Sequence, residues 1–138
     1  MVSKKNSQAG KSDRKTVDLD QLQYRVTQEK VTEAPFSGKF LYNEAEGNYA
    51  CVACGNPLFS SQTKYDSGSG WPSFWSSLTE GNVKTSTDNS RGMSRTEVSC
   101  ADCGAHLGHV FDDGPQPSGK RFCINSAALN FASQDESR

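Results

Sequence analysis

The stretch Cys51-Val52-Ala53-Cys54-Gly55 decides the fold, because its pattern returns as Cys100-Ala101-Asp102-Cys103-Gly104. Two Cys-x-x-Cys turns of this kind, called knuckles below, are typical of a tetrahedral zinc site, since both sulfurs of one knuckle can reach the same ion. The alternative is two disulfides or redox-active dithiols, which a cytosolic chain with a small core disfavours. The sequence therefore predicts one structural zinc ion, held by Cys51, Cys54, Cys100 and Cys103.

Composition narrows the class of protein. A length of 138 residues predicts one domain, and 33% hydrophobic content with 12 glycines predicts a loop-rich fold whose modest core needs a metal staple. The net charge of −1, from 15 basic and 16 acidic residues, argues against nucleic-acid binding. No segment is apolar enough for a membrane span or a signal peptide. We expect a cytoplasmic monomer; an organellar form with a trimmed targeting segment is the alternative.

The chain divides into three parts by composition. Residues 1–16 are polar and predict a disordered leader, residues 17–132 a single zinc-containing domain, and residues 133–138 a flexible tail. A short amphipathic helix is predicted from Val17 to about Thr27, behind Asp18 or Asp20 as N-cap. Its apolar face consists of Leu19, Leu22 and Val26.

Short strands and turns are predicted for the rest of the domain. One hairpin pairs residues 39–42 with 48–52 and leads into the first knuckle. A second pairs 83–87 with 93–99 and leads into the second knuckle. Further strands are predicted at 106–111 and, after a Gly/Pro loop at 112–119, from about 120 to 131.

Cys123 is the one cysteine outside the knuckles. On an extended strand Arg121, Cys123 and Asn125 share a polar face, and the alternate residues from Phe122 to Ser126 form a partly apolar one. The guanidinium two residues away should favour the thiolate. A structural cysteine would instead have apolar neighbours on its own face. We therefore predict Cys123 to be a nucleophile.

Two other segments carry groups suited to catalysis. His106 and His109 are candidate acid–base residues, and a bulge at Gly108 could turn both toward one site. Completing the zinc site is the alternative role, but four cysteines already fill that site. The loop at residues 67–74 carries Trp71 and lacks the signature of a phosphate-binding loop. Trp71 is either a core residue or a wall of an apolar substrate pocket, and the residue pattern leaves both readings open.

Taken in order, these motifs resemble the B-type methionine sulfoxide reductases. The matching stretches are QYRVTQEK (23–30), CVACGNPLF (51–59), TKYDSGSGWPSF (63–74), CADCGAHLGHVFDDGPQP (100–117) and RFCINSAAL (121–129). The resemblance implies a mainly β fold of two antiparallel sheets, with the zinc-clamped knuckles and short peripheral N-terminal helices. It also implies thiol-dependent reduction of methionine-R-sulfoxide, in proteins or free.

The resemblance assigns roles to the matching residues. Cys123 would be the nucleophile, and Trp71, with Phe111, would bind the substrate's methyl end. The polar side of the site would be lined by His106, His109, Asp113, Arg121 and Asn125. We expect His109 to protonate the sulfoxide oxygen, with His106 and Asp113 tuning its charge. Arg121 and Asn125 would stabilise and orient the thiolate.

One departure from the family changes the expected cycle. Many members have a cysteine where this chain has Ser69, and that cysteine resolves the oxidised nucleophile as a disulfide. Here every other cysteine is assigned to zinc, so an external thiol should reduce Cys123, either thioredoxin or glutaredoxin with glutathione. Two rival functions are a non-enzymatic zinc-binding interaction module and a peroxide-reducing thiol enzyme. Neither rival requires Trp71, His109 and Cys123 together.

Overall fold

The computed structural model describes residues 19–133. The predicted leader and the tail from residue 134 onward lie outside these residues, so both stay predictions. The helix α1 spans Gln21–Glu29, and three short 3-10 turns cover Ser61–Thr63, Ser90–Gly92 and Ser126–Ala128. The strands are β1 (Gly47–Cys51), β2 (Pro57–Ser60), β3 (Lys64–Tyr65), β4 (Ser73–Phe74), β5 (Val83–Asp88), β6 (Arg95–Cys100), β7 (His106–Phe111), β8 (Arg121–Ile124) and β9 (Leu129–Ser133).

These strands form two antiparallel sheets, which confirms the mainly β fold. The smaller sheet has the order β2-β1-β9, and the larger has the order β3-β4-β8-β7-β6-β5. Aromatic side chains fill the space between them: Phe59 stacks on Phe74 at 4.5 Å between ring centroids, and Tyr49 meets Phe74 edge-on at 5.2 Å. All three rings are fully buried. Burial of these large apolar rings is the main contribution of the side chains to the stability of the core between the sheets.

The helix begins at Gln21, later than the predicted Val17, and Asp20, one of the two predicted N-caps, caps it through a capping box. The Asp20 carboxylate accepts the backbone N–H of Gln23, and the Gln23 side chain accepts the N–H of Asp20. Val26 and Thr27 face the core, whereas Leu22 is 46% exposed, so the predicted apolar face was wrong at Leu22. The reason is that α1 packs against β7 and the 126–128 turn with the face that carries its buried residues, Val26 and Thr27. Among the described residues no helix has the length and apolarity to cross a membrane.

Each knuckle is itself the turn of a hairpin. The first joins β1 to β2 and the second joins β6 to β7, with Gly55 (φ +85°) and Gly104 (φ +80°) in the left-handed conformation that these tight turns need. The predicted strand at residues 39–42 was wrong: that segment forms turns, because β1 pairs forward with β2 and also with β9. The hairpin predicted at 83–87 and 93–99 is confirmed as β5 and β6.

The predicted last strand is two strands in different sheets. β8 belongs to the larger sheet and β9 to the smaller, with the 126–128 turn between them. The strand breaks because the N–H groups of Ser126 and Ala127 point at the Glu33 carboxylate, at 2.9 Å each, instead of joining a ladder. The apolar face predicted for β8 is confirmed: Ile124 is fully buried and Phe122 packs against Phe59.

Candidate active site

Cys123 lies in the middle of the larger sheet. In the antiparallel register it faces Ser73 of β4 on one side and His109 of β7 on the other. Directly opposed residues project from the same face of a sheet, so these three side chains share one face. Gly108 makes this approach feasible, since a Cβ there would lie 2.0 Å from the Cys123 carbonyl oxygen. The sheet therefore places the thiol beside an imidazole.

A small cleft opens over this face, with a volume of about 90 Å³. It is lined by Thr32, Trp71, Arg95, Gly108, His109, Phe111, Cys123 and Asn125. Its walls combine aromatic rings with polar groups around one thiol, as expected of a site that binds a small amphipathic group. Trp71, which could have been a plain core residue, lines the cleft.

A bulge brings the two histidines together. The β6–β7 register shifts so that Val98 faces Gly108 while Ser99 faces His106, which leaves Leu107 as the extra residue. The two imidazole rings meet edge-on, 5.5 Å apart between centroids. The predicted bulge is present with Leu107 as its unpaired residue, but of the two histidines only His109 lines the cleft.

Each histidine is paired with a carboxylate. His109 Nε2 lies 2.8 Å from Asp88 Oδ2, and His106 Nδ1 lies 2.8 Å from Glu97 Oε2. The His109 contact, together with the Ser90 N–H, holds the Asp88 pKa below its usual range. Burial would raise the Glu97 pKa, but hydrogen bonds from His106 and Lys30 outweigh it and keep that pKa low. Burial lowers the pKa of His106, which is 2% exposed.

Asp113 is not one of those carboxylates. It forms a bidentate pair with Arg121, at 2.8 Å and 3.1 Å, and the guanidinium also stacks over the Phe111 ring at 4.4 Å. The expectation that Asp113 tunes His109 is therefore corrected: Asp88 and Glu97 occupy the places beside the histidines. Sequence reasoning missed both because they come from β5 and β6, and only strand pairing brings them to β7.

Burial dominates the ionisation of Cys123. It raises the pKa of the thiol, and the Ser69 hydroxyl (3.9 Å from the sulfur) and the Arg121 guanidinium offset this only in part. Arg121 thus acts in the expected direction, but the net shift is opposite to the one expected. A raised pKa leaves the resting thiol protonated at neutral pH.

We expect the alkylation of Cys123 by iodoacetamide to rise with pH, through an inflection above the ordinary thiol value of about 8.5. The thiolate is the reactive form, and a raised pKa means that it accumulates only at higher pH. Arg121→Ala should move the inflection further up, and Arg121→Lys should move it less. Mass spectrometry of the Cys123 peptide between pH 6 and 10 measures this, and a wild-type inflection below the ordinary value would contradict it.

Glu33, which sequence reasoning also missed, connects the two walls of the cleft. Its backbone N–H donates to Asn125 Oδ1 at 3.0 Å, and its carbonyl accepts Trp71 Nε1 at 3.0 Å. Glu33 is 3% exposed, and its carboxylate accepts the backbone N–H groups of Ser126 and Ala127, the residues that follow β8. Asn125 also donates from Nδ2 to the Leu107 carbonyl, so both polar ends of its side chain hold backbone. Asn125 is therefore placed to fix the strands around the thiol.

Glu33→Ala should lower the free energy of unfolding by about 3 kcal/mol, because it leaves two buried N–H groups without an acceptor. Urea titration followed by Trp fluorescence would measure the loss, since the indole of Trp71 rests on this segment. The matched control is Glu29→Ala on the exposed side of α1, which should change the midpoint little. Equal midpoints for Glu33→Ala and wild type would refute the assignment.

The four knuckle cysteines form one cluster. Their sulfurs all lie within 4.8 Å of one another, with Cys51–Cys103 and Cys54–Cys100 each at 3.7 Å. Four sulfurs around a tetrahedral Zn²⁺ at ~2.3 Å would be ~3.8 Å apart, so the donor set fits that ion. Asn56 Nδ2 lies 3.5 Å from the Cys100 sulfur and supports it from outside the cluster. The cluster is a metal site, and it shares no residue with the Cys123 cleft.

Fold and site together define a metal-stapled β protein with a partly buried thiol in an aromatic cleft beside two carboxylate-paired histidines. Residues 19–133 match the SelR domain family. Mouse "Methionine-R-sulfoxide reductase B3, mitochondrial" is 56% identical over 119 residues, which cover 86% of this chain and 47% of that protein. "Peptide methionine sulfoxide reductase MsrB" of Hahella chejuensis is 55% identical over 117 residues, covering 85% and 84% of the two chains. The Escherichia coli K12 protein of that name is 54% identical over 114 residues, 83% of each chain.

The chain belongs to the SelR-domain family of MsrB-type peptide methionine sulfoxide reductases. It spans about half the length of the mouse relative, at 47%, and most of the length of the bacterial ones.

Proposed function

We propose that this protein reduces methionine-R-sulfoxide to methionine, with Cys123 as the nucleophile. The observation that carries the proposal is the cleft that places Trp71, His109 and Cys123 around one small volume. A sulfoxide needs these groups: a thiolate to attack its sulfur, a proton donor for its oxygen, and an apolar wall for its methyl group. Family membership supports the same reaction.

The chemistry begins when the sulfoxide oxygen is protonated. His109 donates this proton, and Asp88 holds the ring in place through its contact with Nε2. As the Cys123 sulfur attacks the substrate sulfur, its thiol proton replaces the proton that His109 gave up, and the hydroxyl passes from the substrate to Cys123. Methionine leaves and Cys123 remains as a sulfenic acid, so the substrate gains two electrons and the thiol loses two. Arg121, held by Asp113, lowers the cost of forming the thiolate.

Two equivalents of an external thiol complete the cycle. The first forms a mixed disulfide with Cys123 and releases water, and the second releases the reduced Cys123. Thioredoxin, or glutaredoxin with glutathione, supplies these thiols. Ser69 supports this one-cysteine cycle, because it lies at the position where many family members have a resolving cysteine. We further propose that the knuckle metal is zinc, and that a monomer acts in the reducing cytoplasm, where such thiols stay reduced.

The deciding experiment is turnover of the R and S epimers of dabsyl-methionine sulfoxide with dithiothreitol. The R epimer should be reduced and the S epimer left, because exchanging methyl and oxygen would place oxygen against the Trp71 indole. Equal turnover of both epimers, or of neither, would reject the proposal. A peroxide reductase, the rival thiol enzyme, would consume hydrogen peroxide faster than either epimer.

Ser69→Cys should convert the one-cysteine cycle into a two-cysteine cycle. Its sulfur would replace an oxygen that is 3.9 Å from the Cys123 sulfur, close enough for a disulfide after a small side-chain rotation. After one turnover without reductant, intact-mass spectrometry should show the loss of two hydrogen atoms in this variant. Wild type should show sulfenic acid and no intramolecular disulfide. Ser67→Cys is the control, because the Ser67 hydroxyl bonds to Ser69 and Ser73 instead.

A further inference from the structure

The Cys123 cleft is too small for more than the tip of a substrate side chain. Its volume is about 90 Å³, whereas pockets that enclose whole small molecules measure about 300–1,000 Å³. A methyl sulfoxide group fits such a space. If the proposed function holds, the rest of a polypeptide substrate must therefore lie over the rim of the cleft.

Phe36 stands at that rim. Its N–H donates to the Gly70 carbonyl at 2.7 Å, and two of its ring carbons lie 3.1 Å from the point where a Cβ on Gly70 would be. Gly70 directly precedes Trp71, which lines the cleft. The Phe36 side chain is nevertheless 61% exposed, so most of the ring faces outward.

The backbone of Phe36 is in a conformation that phenylalanine rarely adopts. Its φ is +64°, and Lys30 is the other non-glycine residue with a positive φ among residues 19–133. Lys30 ends α1, where a left-handed residue is ordinary. Phe36 ends no helix; it is the third residue of a turn closed by the Ser37 N–H on the Ala34 carbonyl at 3.3 Å, a position that glycine or asparagine normally takes when φ is positive. Its ring is 61% exposed and adds little to the core. Strain of this kind next to a binding cleft points to a role in binding.

We propose that Phe36 is a docking contact for an apolar side chain that flanks the oxidised methionine in a polypeptide substrate. An aromatic face next to the cleft would bury such a neighbour once the sulfoxide is seated. The inference rests on the proposed function and adds a specificity-determining residue to it.

The test compares two substrates with dithiothreitol as reductant: N-acetyl-methionine-R-sulfoxide amide, and a hexapeptide with leucines on both sides of the methionine-R-sulfoxide. Phe36→Asn removes the ring but keeps a residue that tolerates positive φ. It should lower kcat/KM on the peptide by about fivefold to tenfold, through KM, and leave the small amide unchanged. Phe36→Tyr should restore the peptide rate. Tyr42→Asn, which removes a 74% exposed aromatic that is not part of the cleft lining, is the matched control and should change neither.

Two results would overturn the docking inference and leave the proposed function standing. If Phe36→Asn lowers kcat/KM by the same factor on both substrates, then Phe36 supports Trp71 structurally and does not dock the peptide. A variant equal to wild type on both substrates shows that the ring contacts nothing during turnover. If wild type reduces neither R sulfoxide, the proposed function fails and the docking inference falls with it.

Discussion

Cys123→Ser should reduce turnover of methionine-R-sulfoxide on the order of 10⁴-fold or more, as loss of a covalent nucleophile does elsewhere. A serine hydroxyl stays protonated at neutral pH and has no route to a sulfenic acid. The cleft offers no substitute, because the other four cysteines are clustered at the metal site. Single-turnover assays with the R epimer and dithiothreitol measure the loss.

The same variant provides its own structural control. Cys123 is apart from the metal cluster and its side chain bonds weakly to Ser69, so Cys123→Ser should keep the melting temperature and the metal content of wild type. Retained turnover in a correctly folded Cys123→Ser protein would remove Cys123 from the mechanism.

Stripping the metal should unfold the domain. The first knuckle turns a hairpin of the smaller sheet and the second turns a hairpin of the larger sheet, so the ion joins the two sheets directly. Structural zinc contributes about 10–16 kcal/mol of apparent binding energy in small domains, which equals or exceeds the whole stability of a typical domain, about 5–15 kcal/mol. Circular dichroism during chelator titration should show the sheets melting as the metal leaves.

Variants at the cluster separate metal loss from chelator side effects. Cys103→Ser should mimic chelation, with a much lower melting temperature and less bound metal by elemental analysis, which also identifies the ion. Zinc added back to the chelated wild-type protein should restore the spectrum, but it should not restore the Cys103→Ser protein fully. A metal-free wild type that melts at the holoprotein temperature would show that the cluster contributes nothing to stability.

Local pattern was enough for the metal-binding cysteines and for the polar face that carries Cys123. The knuckle spacing brings the two sulfurs of one knuckle together, because a Cys-x-x-Cys turn has little conformational choice. The alternation of Arg121, Cys123 and Asn125 with Phe122 and Ile124 fixes which face of β8 is polar, because strand periodicity is two. The β5–β6 hairpin followed from two short strands joined by a turn. Each of these depends on neighbours within a few residues.

Only the tertiary structure determined the partners of those groups. Asp88 and Glu97 reach the histidines through strand pairing across three strands, and Glu33 reaches Trp71 and Asn125 across loops distant in sequence. The net pKa of Cys123 depends on how deeply the sheets bury it, which outweighs the adjacent Arg121. The break between β8 and β9 likewise depends on the distant Glu33 carboxylate. The periodicity of a strand in the sequence indicates which face a residue occupies. Which side chains lie next to that residue depends on the pairing of strands that are distant in sequence.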